Sequence, residues 1–174
     1  MVTTYITAAH ITKCLLLTLF WVLLSACDSS KKEQKATQPT AKTAKIRIDT
    51  QSRDADTGRW YTLAQQQQGR QLFAKHCAAC HGDKAQETVD WKTPTATGHY
   101  PPPPLNGTAH AWHHPLSVLQ TVIRGGGAPM GGVMPAWGDV LSEEEIIATI
   151  ASFQTYWPDD VYQRWLEIDM QSRQ

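Results

Sequence analysis

The stretch KHCAACHG, Lys75 to Gly82, decides how the rest of the chain is read. Two cysteines, Cys77 and Cys80, stand three positions apart, and His81 follows the second directly. A Cys-x-x-Cys pair serves three chemistries: a dithiol–disulfide redox couple, half of a zinc site, or covalent attachment of haem. A thioredoxin-like dithiol belongs beside a strand–helix–strand pattern, and no strand–helix alternation surrounds this stretch. Zinc needs a second ligand pair, and the only histidine cluster on offer, His110, His113 and His114, lacks the usual spacing. Haem attachment needs two thiols that add to the porphyrin vinyl groups and an imidazole carried beneath the iron. Cys77-Ala78-Ala79-Cys80-His81 meets both conditions.

The other two cysteines have a different use. Lys13 precedes an apolar run from Leu15 to Leu24, which has the length of a signal-peptide core and falls short of the roughly 18 to 20 residues of a membrane span. The run ends in Leu24-Ser25-Ala26-Cys27, which resembles a bacterial lipobox. That resemblance makes residues 1–26 a lipoprotein signal peptide, removing Cys14, and makes Cys27 the lipidated first residue of the mature chain. Asp28 behind it resembles an inner-membrane retention signal of enteric bacteria. Residues 27–58 carry Lys, Gln, Thr, Ala, Ser and Asp with few apolar side chains, a composition expected of a flexible tether. Residues 59–174 remain as one domain. The whole chain has Lys+Arg 16 against Asp+Glu 16, so it offers no basic excess for nucleic acid.

From Gly58 onward the chain resembles a small class I c-type cytochrome, on the segments GRWYTLAQQQQGRQLFAKHCAACHG, PPPLNGTAHAWHHPL and MPAWGDVLSEEEI. The resemblance implies an all-α fold wrapped around one covalently attached haem c, and an electron carrier in place of an enzyme. The residues read the same way. Gly69, Phe73 and Cys77 recur every four positions, placing a small residue and an aromatic on the helical face that presents a thiol. Ser142 to Glu145 has the form of a capping box, and Ile146, Ile150, Phe153 and Trp157 follow at helical spacing until Pro158 stops the helix. In the family the first and last helices cross at a glycine, here Gly69 and Phe73 against Ile150 and Phe153. Relatives often carry tyrosine where this chain has Ser152, which predicts a less filled crossing.

His81 supplies one axial ligand to the iron. The resemblance to a Met-Pro-Ala-aromatic segment assigns the other to Met134, with Met130 as a rival four residues away. A thioether is soft and neutral, favours ferrous iron and raises the potential. His99, His110, His113 and His114 leave a bis-histidine alternative. The run Pro101 to Pro104 has carbonyls free to accept, and a metal-bound histidine donates its second nitrogen to such a group. The family's Pro-x-Leu-x-Gly turn maps this role onto Pro103, Leu105 and Gly107. Trp112 and Trp137 either hydrogen-bond a haem propionate or pack on the ring.

The functional reading is a membrane-tethered monohaem cytochrome on the periplasmic side, passing single electrons between redox protein partners of a respiratory chain. Two alternatives stand beside it: an electron-transfer subunit of a membrane dehydrogenase or oxidase, and a haem enzyme such as a peroxidase with an open iron. Residues 59–174 hold Lys+Arg 8 against Asp+Glu 11, a mildly acidic balance that does not rank partners. The C-terminal stretch from Tyr156, with Trp157, Tyr162 and Trp165, either covers the core or meets a partner.

Overall fold

A computed structural model describes residues 48–174 of the chain. The expected signal peptide, the lipidated Cys27 and most of the expected tether lie outside the described residues. Five α-helices and no strand occur among those described: α1 Leu63–His76, α2 Ala78–His81, α3 Leu116–Gly125, α4 Glu143–Gln154 and α5 Asp159–Gln171. The all-α expectation holds, and no described helix is long and apolar enough to cross a membrane.

Local sequence sets the helix ends. Thr62 caps α1 by accepting from the Gln65 amide, while the Gln65 side chain accepts from the Thr62 amide. Ser142 and Glu145 make the same reciprocal pair at the start of α4, so four amides that the helices leave unpaired find side-chain acceptors. The short α2 follows α1 through Cys77 and is ended by Gly82, whose φ of 74° favours glycine. The helix expected to run to Trp157 ends at Gln154 instead. Residues Thr155 to Trp157 form tight turns, with the Trp157 amide donating to Gln154 O at 3.1 Å, because the residue before a proline is driven out of the helical region.

The α1–α4 crossing is the main joint of the fold. Gly69 faces Ala148, and a Cβ on Gly69 would stand 1.8 Å from the Ala148 carbonyl oxygen and 3.0 Å from Ser152 Cβ. Phe73, Ile150 and Phe153 share the same buried cluster, but the residues that meet Gly69 are Ala148 and Ser152. The expectation of a loosely filled crossing is thereby corrected. With a small serine in that position the two backbones close up on each other, and Ser152 Oγ satisfies itself on Thr149 O at 2.7 Å.

Helix α5 resolves the C-terminal stretch: it covers the core. Tyr162, Trp165 and Leu166 follow at helical spacing and are buried, with the Trp165 ring 5.9 Å from Trp157, 6.4 Å from Trp60 and 5.6 Å from Tyr162. Each indole of this group donates to an acceptor: Trp165 to His114 O, Trp60 to Gln154 Oε1, and Trp157 to Leu105 O. Asp169, 1% exposed, ties three parts of the chain together. Its carboxylate accepts from Thr50 Oγ1 at 2.6 Å, from the Leu116 amide that opens α3 at 2.8 Å, and from Arg173 at 2.8 Å. Thr50 is itself buried, Ile48 packs on the core, and Arg173 donates to Ile48 O. The expected tether boundary at residue 58 is therefore corrected: residues 48–58 lie on the domain, because a buried carboxylate needs donors and Thr50 supplies one.

Two stability outcomes follow from these contacts. Gly69→Ala is expected to lower unfolding free energy by about 3 kcal/mol or more in denaturant titration, since backbone cannot yield to the added carbon; an unchanged midpoint would contradict the crossing. Asp169→Ala is expected to lower it by about 3 kcal/mol by leaving buried donors unpaired. That variant also opens residues 48–58 to limited proteolysis at sites the parent protects.

Candidate functional site

The Cys-x-x-Cys-His turn is built at the junction of α1 and α2. The Cys77 amide donates to Phe73 O at 2.8 Å as the last bond of α1, and Cys77 O accepts from the amides of Cys80 and His81 at 3.1 and 3.0 Å. Cys77 is half-buried and Cys80 exposed, and both are free thiols. His81 is buried, and its Nδ1 lies 3.1 Å from the Pro103 carbonyl. A carbonyl only accepts, so Nδ1 carries the proton and Nε2 keeps its lone pair for a metal. Burial lowers the His81 pKa, against a smaller opposing pull from the Pro103 carbonyl, and so favours the neutral ring that ligates.

Pro103 is held in place by groups that the sequence did not advertise. Ala85, fully buried with φ 55°, accepts through its carbonyl from the amides of Leu105 and Asn106 at 2.8 and 3.1 Å. Leu105 packs against the core, and its carbonyl takes the Trp157 indole proton at 2.7 Å. Gly107, with φ 93°, leaves room for Trp157, whose Cδ1 would stand 3.2 Å from an added Cβ. Nothing in the run of residues around Ala85 signals this role, because the work is done by a carbonyl.

Met134 packs half-buried against the core, whereas Met130 stands 58% exposed in the turn Ala128–Met130. The Met134 carbonyl accepts from the Gly127 amide at 2.9 Å, and the amides of Trp137 and Gly138 donate to Ile123 O and Arg124 O at the end of α3. The Tyr100 amide donates to Gly131 O at 3.2 Å, joining the loop that leads to Pro103 with the loop that leads to Met134. The Trp137 ring meets His76 edge-on at 5.0 Å, next to Cys77, and Trp112 packs on its neighbour His113. His99 and His113 are exposed. His110 stacks on Trp91 at 4.5 Å and meets His114 edge-on at 5.4 Å. Among the described residues, no group of three or more His, Cys, Asp or Glu is arranged to hold a metal ion.

The donor set fits haem c: a pair of thiols on one turn, a neutral imidazole with one nitrogen occupied, and a core-packed thioether. Burial, aided by Cys80, pushes the Cys77 thiol up to about 11, the opposite direction from the lowered thiol pKa of a reactive dithiol.

A helical domain with this turn falls in the class of c-type cytochromes, which bind haem c covalently and carry electrons between redox proteins. More particularly, residues 64–151, half of the chain, match the family Cytochrome C oxidase, cbb3-type, subunit III, and the chain belongs to that family. Neither a curated protein nor a solved structure matches the chain.

The raised Cys77 pKa makes a direct prediction for haem-free protein. Thiolate forms only as pH climbs toward about 11, so alkylation of Cys77 should be slow at pH 8 and keep rising well past it. Peptide mapping after iodoacetamide treatment across pH 7 to about 11 reads this out. A Cys77 rate that has levelled off by pH 9 would contradict it.

Proposed function

We propose that the protein is a monohaem electron carrier, with haem c held by thioether bonds to Cys77 and Cys80 and its iron ligated by His81 and Met134. The observation that carries the reading is the His81 ring fixed through Nδ1 on the Pro103 carbonyl, directly after Cys77 and Cys80 on the same turn. A haem held there supplies a reversible one-electron ferric–ferrous couple. The chain's part is to orient and to enclose. The Pro103 carbonyl fixes the plane of the His81 ring and strengthens it as a donor, and Ala85 and Trp157 hold that carbonyl still. Leu105, Trp112 and Trp137 pack against the core and would offer a bound haem apolar contact. Met134 would hold the iron through a soft thioether, which would favour transfer over catalysis and raise the potential.

The lipobox-like segment ending in Cys27 supports a lipid-anchored protein on the periplasmic side of the inner membrane. Several acyl chains on one residue hold a protein stably at a bilayer, since each buried methylene contributes about 0.8 kcal/mol. Its partners in this reading are a donor and an acceptor of a respiratory chain in the same compartment. The family's own description favours a second reading, in which the chain is an electron-transfer subunit of an oxidase. Co-purification with membrane subunits after mild detergent extraction separates the two.

Natively matured protein is expected to carry the mass of a single added haem, lost in Cys77→Ala/Cys80→Ala. Its ferric spectrum should show the red-edge band of sulfur ligation. Met134→Leu should abolish that band and lower the midpoint potential, while Met130→Leu leaves both in place. Parent protein with a high-spin ferric spectrum would overturn the carrier reading in favour of an open iron.

A further inference from the structure

Three glycines, Gly125 to Gly127, close α3, and they are not equivalent. Gly125 has nothing within 4 Å of where a Cβ would stand. Gly126 is buried with φ 80°, and a Cβ there would lie 2.9 Å from Met134 O, 2.9 Å from the Ala136 amide nitrogen and 3.1 Å from the Pro135 carbonyl carbon. Gly127 is also buried, at an ordinary φ of −92°, and its Cβ would lie 3.2 Å from Met134 Cβ and 3.4 Å from Met134 N. The Gly127 amide donates to Met134 O at 2.9 Å, and the Gly127 carbonyl accepts from the Gly132 amide at 3.0 Å. Backbone at the end of α3 thus lies in direct contact with the backbone of the methionine loop, with no side chain between them.

We propose that Gly126 and Gly127 are positioning residues that set where the Met134 sulfur sits, by letting the end of α3 press on the Met134–Ala136 backbone. The inference rests on Met134 as the sixth ligand and adds what places it. The physical ground is the short range of a thioether–iron bond. Displacing the Met134 backbone by a few tenths of an ångström weakens that bond while the helices around it stay packed. Between the two residues the means differ. Gly126 excludes any side chain by conformation and by contact with three backbone atoms, whereas at Gly127 an added Cβ would press on Met134, with Gly132 Cα at 3.6 Å on its other side.

The test uses haem-loaded full-length protein, with the ferric red-edge band, the midpoint potential and thermal unfolding read on each variant. Gly127→Ala has no backbone strain, so it is expected to keep the parent's helical unfolding transition within a few degrees. Its red-edge band should weaken, and the ferrous-to-ferric ratio at fixed potential should fall about threefold. Gly126→Ala is expected to lose most of the band and to shift that ratio about tenfold, which is about 59 mV for a one-electron couple. Gly125→Ala should leave band and potential at parent values. Gly132→Ala, whose Cβ would lie 3.3 Å from the Gly127 carbonyl, approaches the same turn from the far side and serves should Gly127→Ala not accumulate; a weakened band is expected there too. A parent-like band and potential in Gly127→Ala, or in Gly132→Ala where that variant stands in, with the band abolished in Met134→Leu, overturns the positioning role and leaves the ligand assignment intact. A band that survives Met134→Leu overturns both.

Discussion

The close approach of α1 and α4 is the constraint from which the rest of the domain follows. At Gly69 the Ala148 carbonyl occupies the space a side chain would need, so the two helices are locked backbone to backbone. Helices that meet this closely have little freedom in crossing angle or register, since any slide drives a side chain into a carbonyl. The lock fixes where α1 ends, two turns later, and so where Cys77, Cys80 and His81 are delivered. Phe73 sits between the lock and the thiols and is buried in the common core, so packing continues without a break from the crossing to the site.

From that fixed point the site is completed by irregular chain, and its order comes from backbone hydrogen bonds. Ala85 holds Leu105 and Asn106, Tyr100 holds Gly131, and Gly127 holds Met134. These links form a ring: the turn with His81 binds the proline loop, the proline loop binds the glycine loop, and the glycine loop binds the end of α3. Helix α3 is joined in turn to the first turn of α4 by the Arg124–Glu143 ion pair, and Leu141 donates to Trp137 O just before α4 begins. The ring therefore closes on the helix that forms the crossing. A loop with few side chains to bury would ordinarily be mobile, and this closure is what allows glycine and proline to build a site with a defined shape.

Helix α5 extends the same logic to the far side of the core. Its buried Trp165 joins Trp60 and Trp157, and Trp157 reaches the Leu105 carbonyl behind His81. Asp169 draws Thr50 and the start of α3 onto the same helix. Residues 48–50, the C-terminal helix and the chain that supports His81 thus share one cluster. Residues 48–58 are a structural part of the domain, which is gripped from Ile48 onward.

How much of this could be read from the sequence depended on whether side chains or backbone carried the information. The thiol spacing and the adjoining histidine are side-chain chemistry, and with their neighbours weighed they favoured haem over a dithiol or zinc. Ser142 with Glu145 marked the start of α4 for the same reason. The proline run by itself offered several free carbonyls; the resemblance to the family's Pro-x-Leu-x-Gly turn singled out Pro103, and His81 Nδ1 lies 3.1 Å from that carbonyl. Ala85 was not legible at all, since an alanine carbonyl has no sequence signature. The residues from 48 to 58 were misjudged because composition counts apolar side chains, and Thr50 is held by a hydroxyl on a carboxylate 119 positions away. Ser152 was misjudged by the opposite error, as a missing tyrosine was taken for a gap when a small side chain let two backbones meet. In both cases the sequence shows which side chain is present, and the packing depends on how closely the backbone can approach because of it.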